Sequence, residues 1–510
     1  MKWDATSAAD GRTESSLDPR DWEEFRALAH RAVDDLTDML KGVREEPPWR
    51  RPPEAVRAAL QGPAPRAGTD PADVYAEVRD LVVPYRLGNI HPRHWGWVMG
   101  SGAPIGIVAD LVASATNSNC PGFDTSATLV ERQAVAWLAE AIGWPTEASG
   151  LFVSSGSMAN LTALAVARSA RAGYDVRQEG VRGGAQRLTM YCSTETHSSV
   201  QKAAELLGIG REGLRYVPVN GAFEVDVAAL ERAVVADRAA GMRPFCVVGT
   251  AGTVNTGAID DLRALADVCR RHDLWFHVDG AFGALAALSP ELRARVAGLE
   301  LADSVIFDQH KWMYLSYDCS LVLVRDPSAH QAAFALTPSY LAPAGRGVAP
   351  GTLLFSHLGV DLSRGFRALK VWMAIKAHGL DAYGRMIAQN VAQAAYLGEL
   401  VEAHPRLELL APVALNITCF RYRREGLDEA ALNRINNEVL LRLQERGIAL
   451  PSSTVLGGRY AIRVANTNHR TRSSDMRALV EAVVALGDEL ASSEGLGARV
   501  VPCQPLVPGP

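Results

Sequence analysis

From Gly150 onward the chain alternates short, almost unbroken apolar runs with segments of helical periodicity. The runs are LFVSS, LTMYCS, LRYVPVN, PFCVVGT, LWFHVDG, DSVIFD and CSLVLVR. A strand with one wet face alternates apolar and polar residues, whereas a run that is apolar throughout has protein on both faces, and the intervening helices supply that cover. The pattern predicts an α/β fold whose large domain is built on a mostly parallel seven-stranded sheet.

The flanks read differently. Residues 1–18 are expected to be a disordered tail. An amphipathic helix then carries Phe25, Leu28, Ala29, Ala32, Val33, Leu36 and Leu40 at helical spacing. The proline-rich EEPPWRRPPEAV is a stiff link to a second helix, PADVYAEVRDLVVPYRLG. Together these form an N-terminal helical segment, 19–105, that needs a partner to pack against. The large domain is expected over 106–385. A long helical pattern, SRGFRALKVWMAIKAHGLDAYGRMIAQNVAQAAYLGELVEAH, leads into a small C-terminal α+β domain over 386–491, with strands at LNITCFRYR and YAIRVANTN. Residues 492–510 read as a loose, proline-bearing tail.

Charge and cysteine usage narrow the classes of function. A formal net charge of -5 over 510 residues gives no global positive field for nucleic acid or an anionic membrane. The seven cysteines are scattered and never form C-x-x-C, which fits a reducing cytoplasm without a structural zinc or other metal site. The polar, acidic start lacks the pattern of a secretory signal, and no stretch approaches a membrane span, so a cytoplasmic protein is expected.

Searches for a P-loop, H-E-x-x-H, G-x-S-x-G and G-x-G-x-x-G find none. What remains is an aspartate ending one strand and a lysine just after another. In LWFHVDGAFG, Asp279 stands where side chains of an open α/β sheet face the ligand crevice, although an aspartate there equally caps the next helix. In DSVIFDQHKWMYLSYDCS, Lys311 follows a second strand. Such a pair can hold one pyridine ring from two sides, the carboxylate on the ring nitrogen and the amine in a Schiff base with an aldehyde.

These two segments together resemble the signature of the pyridoxal-phosphate-dependent group II amino acid decarboxylases, the family of the aromatic-L-amino-acid and glutamate decarboxylases. The resemblance extends over most of residues 85–480. It implies fold type I of the pyridoxal-phosphate enzymes, a pyridoxal 5'-phosphate cofactor, a small-molecule amino acid substrate and a homodimer with active sites at the interface. By resemblance Lys311 is the Schiff-base lysine, Asp279 the pyridinium partner, and His197 in MYCSTETHSSVQKAAELLG the residue that stacks on the ring. Read without it, His197 is also a plausible helix cap.

The strand, turn and helix of LFVSSGSMANLTAL offer free N–H groups to a phosphate through Ser155, Gly156, Ser157 and Met158, although Ser-Gly-Ser also starts helices for capping alone. Relatives more often carry an acidic residue at Met158. In VVGTAGTVNTGAIDD the resemblance puts Thr250 and Thr253 around the phosphate and ring, with Val254 where a second threonine is common. Ala281, Asp308 and His310 complete the expected cofactor contacts. Tyr340 matches a loop tyrosine used by decarboxylases, within a segment over 325–352 rich in Gly, Pro and Ala that suits a mobile lid or plain surface.

His94, Trp95 and Trp97 fall in the stretch that lines the substrate pocket in relatives and suit an aromatic side chain. Two tryptophans at alternate positions are equally one wet and one core residue of a strand. The chemistry implied is decarboxylation of an L-amino acid to its amine, with an apolar setting for the departing carboxylate. The alternatives are an aldehyde synthase of the same family and a fold-type I aminotransferase or desulfurase, in which Arg463 would clamp the carboxylate.

Overall fold

The computed structural model describes residues 5–7, 13–181, 183–336, 345–349 and 354–494. Within the expected tail, β1 (Ala5–Ser7) and β2 (Thr13–Ser15) pair antiparallel with each other alone; their threonines suit extended backbone. Next come α1 (Trp22–Lys41), α2 (Glu54–Ala59) and α3 (Pro71–Leu81). Asp21 caps α1, accepting from the N–H groups of Glu23 and Glu24. No residue of α1 is fully buried, and Trp22, Phe25 and Val33 are exposed. A two-residue strand, β3 (His94–Trp95), precedes α4 (Ile105–Thr116) and α5 (Ser126–Ala141).

All seven apolar runs are strands: β4 (Ser149–Val153), β5 (Leu188–Ser193), β6 (Leu214–Val217), β7 (Arg243–Thr250), β8 (Trp275–Asp279), β9 (Ser304–Asp308) and β10 (Ser320–Val324). They form one sheet in the order β4-β10-β9-β8-β7-β5-β6, in which only β10 runs against its neighbours. Every position of β4, β5, β8, β9 and β10 is buried, because helices cover both faces. On one face lie α6 (Gly156–Arg171), α7 (Val176–Glu179) and α8 (Ser198–Leu206). On the other lie α5 and the helix Leu262–Arg271.

The long helical pattern divides at Gly379, whose φ of +77° breaks it into Arg367–His378 and Leu380–Glu402, so the expected boundary at 385 falls inside the second helix. The small sheet contains β11 (Leu407–Leu409), β12 (Ile417–Tyr422), β13 (Leu450–Leu456) and β14 (Arg459–Ala465) in the order β11-β12-β14-β13-β3. Its edge strand β3 comes from the N-terminal segment and pairs parallel with β13. The last helix, Ser473–Glu494, continues through Ser492, where a loose tail is expected.

The segment over 325–352 is not loop throughout. Pro327–Phe334 is a helix, capped by Asp326 and pinned by buried His330, which bonds Ser149 Oγ at 2.7 Å and the Leu358 carbonyl at 2.8 Å. Tyr340 lies outside the described residues. Among the described residues no helix is long and apolar enough to cross a membrane, and no cluster of side chains could hold a metal ion.

Candidate active site

In a parallel sheet the strand C-termini emerge on one side, and here they carry the chemistry. β7 ends at Thr250, β8 at Asp279 and β9 at Asp308, while the turns after β4 and β5 lead into α6 and α8. Their side chains converge on a cavity of about 440 Å³.

Lys311 sits in the single helical turn Gln309–Trp312, anchored below by Trp312, whose indole N–H donates to Asn390 at 3.1 Å. Its ammonium pairs with Asp308 Oδ2 at 2.8 Å. The other oxygen of Asp308 and the hydroxyl of Thr250 are buried without partners in the same cavity. Asp279 accepts from the Ala281 N–H at 3.1 Å and from the Asn160 amide at 2.9 Å. The first bond closes the turn after β8 and caps no helix, because the next one, Gly283–Leu288, starts after Phe282 without a side-chain cap, so the expected helix cap is not what Asp279 forms.

Ser155 caps α6 by accepting the Met158 N–H at 3.3 Å, and Ser155, Gly156 and Ser157 border the cavity. A Cβ at Gly156 would come within 2.8 Å of the Asp308 carboxylate, so glycine lets the helix start this close to β9. His197 stands just before α8 and accepts the Ser199 N–H on Nδ1 at 3.2 Å, again both cap and cavity wall. Burial lowers its pKa and favours the neutral ring. His310 is also neutralised by burial; it accepts from the Cys319 N–H at 3.2 Å, with its ring centre 4.4 Å from that of Tyr317.

Ala281 and Trp97 also line the cavity, but four expected contacts do not. Met158 packs against the core beside α6. The Thr253 hydroxyl is turned into its own loop, bonding Thr256 at 3.0 Å and the Ala258 N–H at 3.1 Å. Trp95 is fully buried in the small-domain core, with its indole N–H donating to Thr471. His94 is buried too, its pKa pushed down to about 4 by desolvation. A continuing strand would put both tryptophans on one face, but β3 ends at Trp95, and Trp97, with a φ of +54°, turns the other way to the cavity.

Several wall residues were not singled out from the sequence, among them Asn160, Ser199, Phe282, Tyr317, Ser452 and Ser453. Asn160 alone had a local signal, a polar side chain within the apolar face of α6. Arg463 borders the cavity, but its donors are largely spent: Nε on the Asn255 carbonyl at 3.0 Å, Nη1 on the Trp97 carbonyl and Ser452 Oγ, and Nη2 on the Val254 carbonyl. An amine, a carboxylate, an imidazole and a helix start around one apolar-walled space suit a planar, anionic cofactor that bears an aldehyde.

Comparison with known proteins agrees with that chemistry. The model of the pyridoxal-dependent decarboxylase conserved domain matches residues 53–423. An aromatic-L-amino-acid decarboxylase of Bacillus atrophaeus is 33% identical over 475 residues, covering 92% of this chain and 97% of that one. The crystal structure of Oryza sativa TDC with PLP and tryptamine superimposes with a TM-score of 0.86 at 29% identity, over 93% of this chain and 100% of that one. That of Rhodiola rosea 4-hydroxyphenylacetaldehyde synthase does so with a TM-score of 0.82 at 26% identity, over 93% and 99%.

Proposed function

The chain belongs to the pyridoxal-dependent decarboxylase family, and from that premise we propose that it converts an aromatic L-amino acid to the corresponding amine and CO₂. What carries the reading is the convergence of Lys311, Asp279, His197 and the start of α6 on one cavity. The cofactor is pyridoxal phosphate, and the residues present fit it. The partnerless Thr250 hydroxyl and Asp308 oxygen are polar atoms buried in the cavity, and the first turn of α6 offers N–H donors to a phosphate.

When bound, pyridoxal phosphate supplies the aldehyde that takes up an amine and the ring that accepts the electrons left by departing CO₂. Lys311 is the covalent attachment point, and Asp308 holds its ammonium until then. With the cofactor bound, the Asp279 carboxylate would accept from the ring nitrogen, His197 would stack on the ring, and the N–H groups of Ser155, Gly156 and Ser157 would take the phosphate with His310 nearby. Trp97, Val98, Met99 and Phe282 give the cavity apolar walls that suit an aromatic side chain. Tyr340 returns a proton to the substrate Cα.

An aminotransferase needs a free arginine for the substrate carboxylate, and the commitment of Arg463 to carbonyl oxygens speaks against that. The similarity to an aldehyde synthase keeps oxidative deamination as the second reading. A homodimer accounts for α1, which has no buried residue, and for exposed Ile107, Val108, Leu111 and Val112 on α4. The described cysteines are free and buried, in keeping with a cytoplasmic location. The test is a CO₂-release screen of the twenty amino acids and hydroxylated aromatics with an oxygen electrode in parallel. Aromatic substrates should lead without O₂ uptake; a preference for glutamate would refute the pocket reading.

A further inference from the structure

Asn160 lies on α6 among the buried residues Ala159, Ala163 and Leu164, and is itself fully buried. Its Oδ1 is 2.9 Å from His277 Nε2, and its Nδ2 is 2.9 Å from Asp279 Oδ2 and 3.0 Å from Ser199 Oγ. Ser199 Oγ in turn is 2.8 Å from His197 Nδ1. On the far side, His277 Nδ1 is 2.9 Å from Ser304 Oγ, which is 2.8 Å from Trp275 Nε1.

The two ends fix the direction of every hydrogen between them. An indole N–H only donates, and a carboxylate only accepts. Ser304 accepts from Trp275. Because Asn160 gives its amide hydrogens to Asp279 and Ser199 and so turns its oxygen to His277 Nε2–H, the Ser304 hydroxyl gives its hydrogen to the bare Nδ1 of His277. His277, held neutral by burial, carries its proton on Nε2 and donates it to Asn160 Oδ1. A flipped amide would set the Asn160 oxygen against the Asp279 carboxylate. The two amide hydrogens thus go to Asp279 and to Ser199, and the Ser199 hydroxyl donates to His197 Nδ1, leaving the His197 proton on Nε2.

We propose that Asn160 is a positioning residue that couples Asp279 to His197, aiming the carboxylate at the cofactor ring nitrogen and holding the imidazole as its Nε2–H tautomer. The proposal rests on the roles assigned to Asp279 and His197 above. Only a primary amide offers one acceptor and two donors at this spot: leucine offers neither, and a carboxylic acid donates only while protonated.

The test compares Asn160→Leu and Asn160→Asp holoenzymes by thermal melting, kcat and KM across pH, and the ¹⁵N shift of a labelled cofactor ring. Asn160→Leu should lose about 10–100-fold in kcat, the usual range for residues that support a site from behind, with little change in KM. Its ring nitrogen should move toward the unprotonated shift.

Asn160→Asp should work well at the acid end and fail as pH rises, because the introduced carboxyl faces Asp279 and must keep its proton to donate. The other ionisable groups facing it are His277 on β8, His197 before α8, and Asp308 and Lys311 across the cavity. A space-filling role would make Asn160→Leu the better variant at every pH with the ring shift unmoved, which would overturn the proposal. If Asn160→Leu does not fold, a wild-type pH profile for Asn160→Asp overturns it alone. Asp279→Asn separates the layers: wild-type turnover there sinks the site reading, while an impaired Asp279→Asn beside a normal Asn160→Leu sinks only the coupling.

Discussion

Replacing Asp279 by asparagine removes the negative charge expected at the cofactor ring nitrogen while keeping the shape of the side chain. Its two oxygens accept one N–H each, from Asn160 at 2.9 Å and from Ala281 at 3.1 Å. An amide has one oxygen and one NH₂, so one of those donors meets another donor. The loss of a single hydrogen bond to a charged acceptor costs about 1.5–3 kcal/mol, equivalent to a fall in melting temperature of several degrees at about 2–4 °C per kcal/mol or less in a chain of this length. Removing a buried electrostatic stabiliser of the reaction costs about 3–4 kcal/mol in the barrier, or roughly 10²–10³-fold in kcat. The activity loss should therefore exceed anything the melt explains. Saturating CO₂-release assays and thermal melts on the same Asp279→Asn preparation measure both. Turnover within about threefold of wild type, with only the melt lowered, would reduce Asp279 to a cap on the turn that follows β8.

Borohydride reduction of the holoenzyme followed by peptide mapping should mark Lys311, and Lys311→Ala should abolish turnover; a label on Lys370, which is buried against Asp110 at 2.8 Å, would overturn the assignment. Tyr340→Phe should divert product from the amine to an aldehyde with ammonia, peroxide and O₂ uptake, and an unchanged amine yield without O₂ uptake would remove Tyr340 from the reaction. Burial pushes His91, His94 and His330 down to about 4, so the folded chain refuses protons that the unfolded chain accepts. Stability is unaffected above the ordinary imidazole range and falls as pH drops from about 6.5 toward 4, by up to roughly 3 kcal/mol for each ring. Asp260, raised to about 6 by burial, works the other way with Glu131 and Asp303, but burial also lowers His197, His277, His310 and His469, so among the described residues three carboxyls stand against seven rings. Melting temperature should fall between pH 7 and pH 5, and a flat profile would refute this.

The large sheet was legible because its strands are buried on both faces, so each is written as a local apolar run whose end can be read by eye. That is why Asp279, Asp308 and Lys311 could be placed at or just past the C-terminal ends of strands from their own neighbourhoods. The small sheet was only half legible. β13 carries the polar Ser-Ser-Thr of a half-covered strand, and β3 is two residues long, too short for any period to show.

What the sequence by itself determined is the order of strands and helices and the identity of the groups at the strand ends, since both follow from unbroken apolar runs and the 3.6-residue helical period within a few residues. Only the tertiary structure decided which tryptophan faces the cavity, because the pairing of β3 with β13 joins distant parts of the chain. It alone turned Thr253 into its loop and committed Arg463 to carbonyls of two separate segments, at Trp97 and at Val254 and Asn255. It also brought Asn160 of α6 between His277, Asp279 and Ser199. A hydrogen bond is satisfied by whichever partner packing brings within about 3 Å, and no local pattern in the chain encodes that partner.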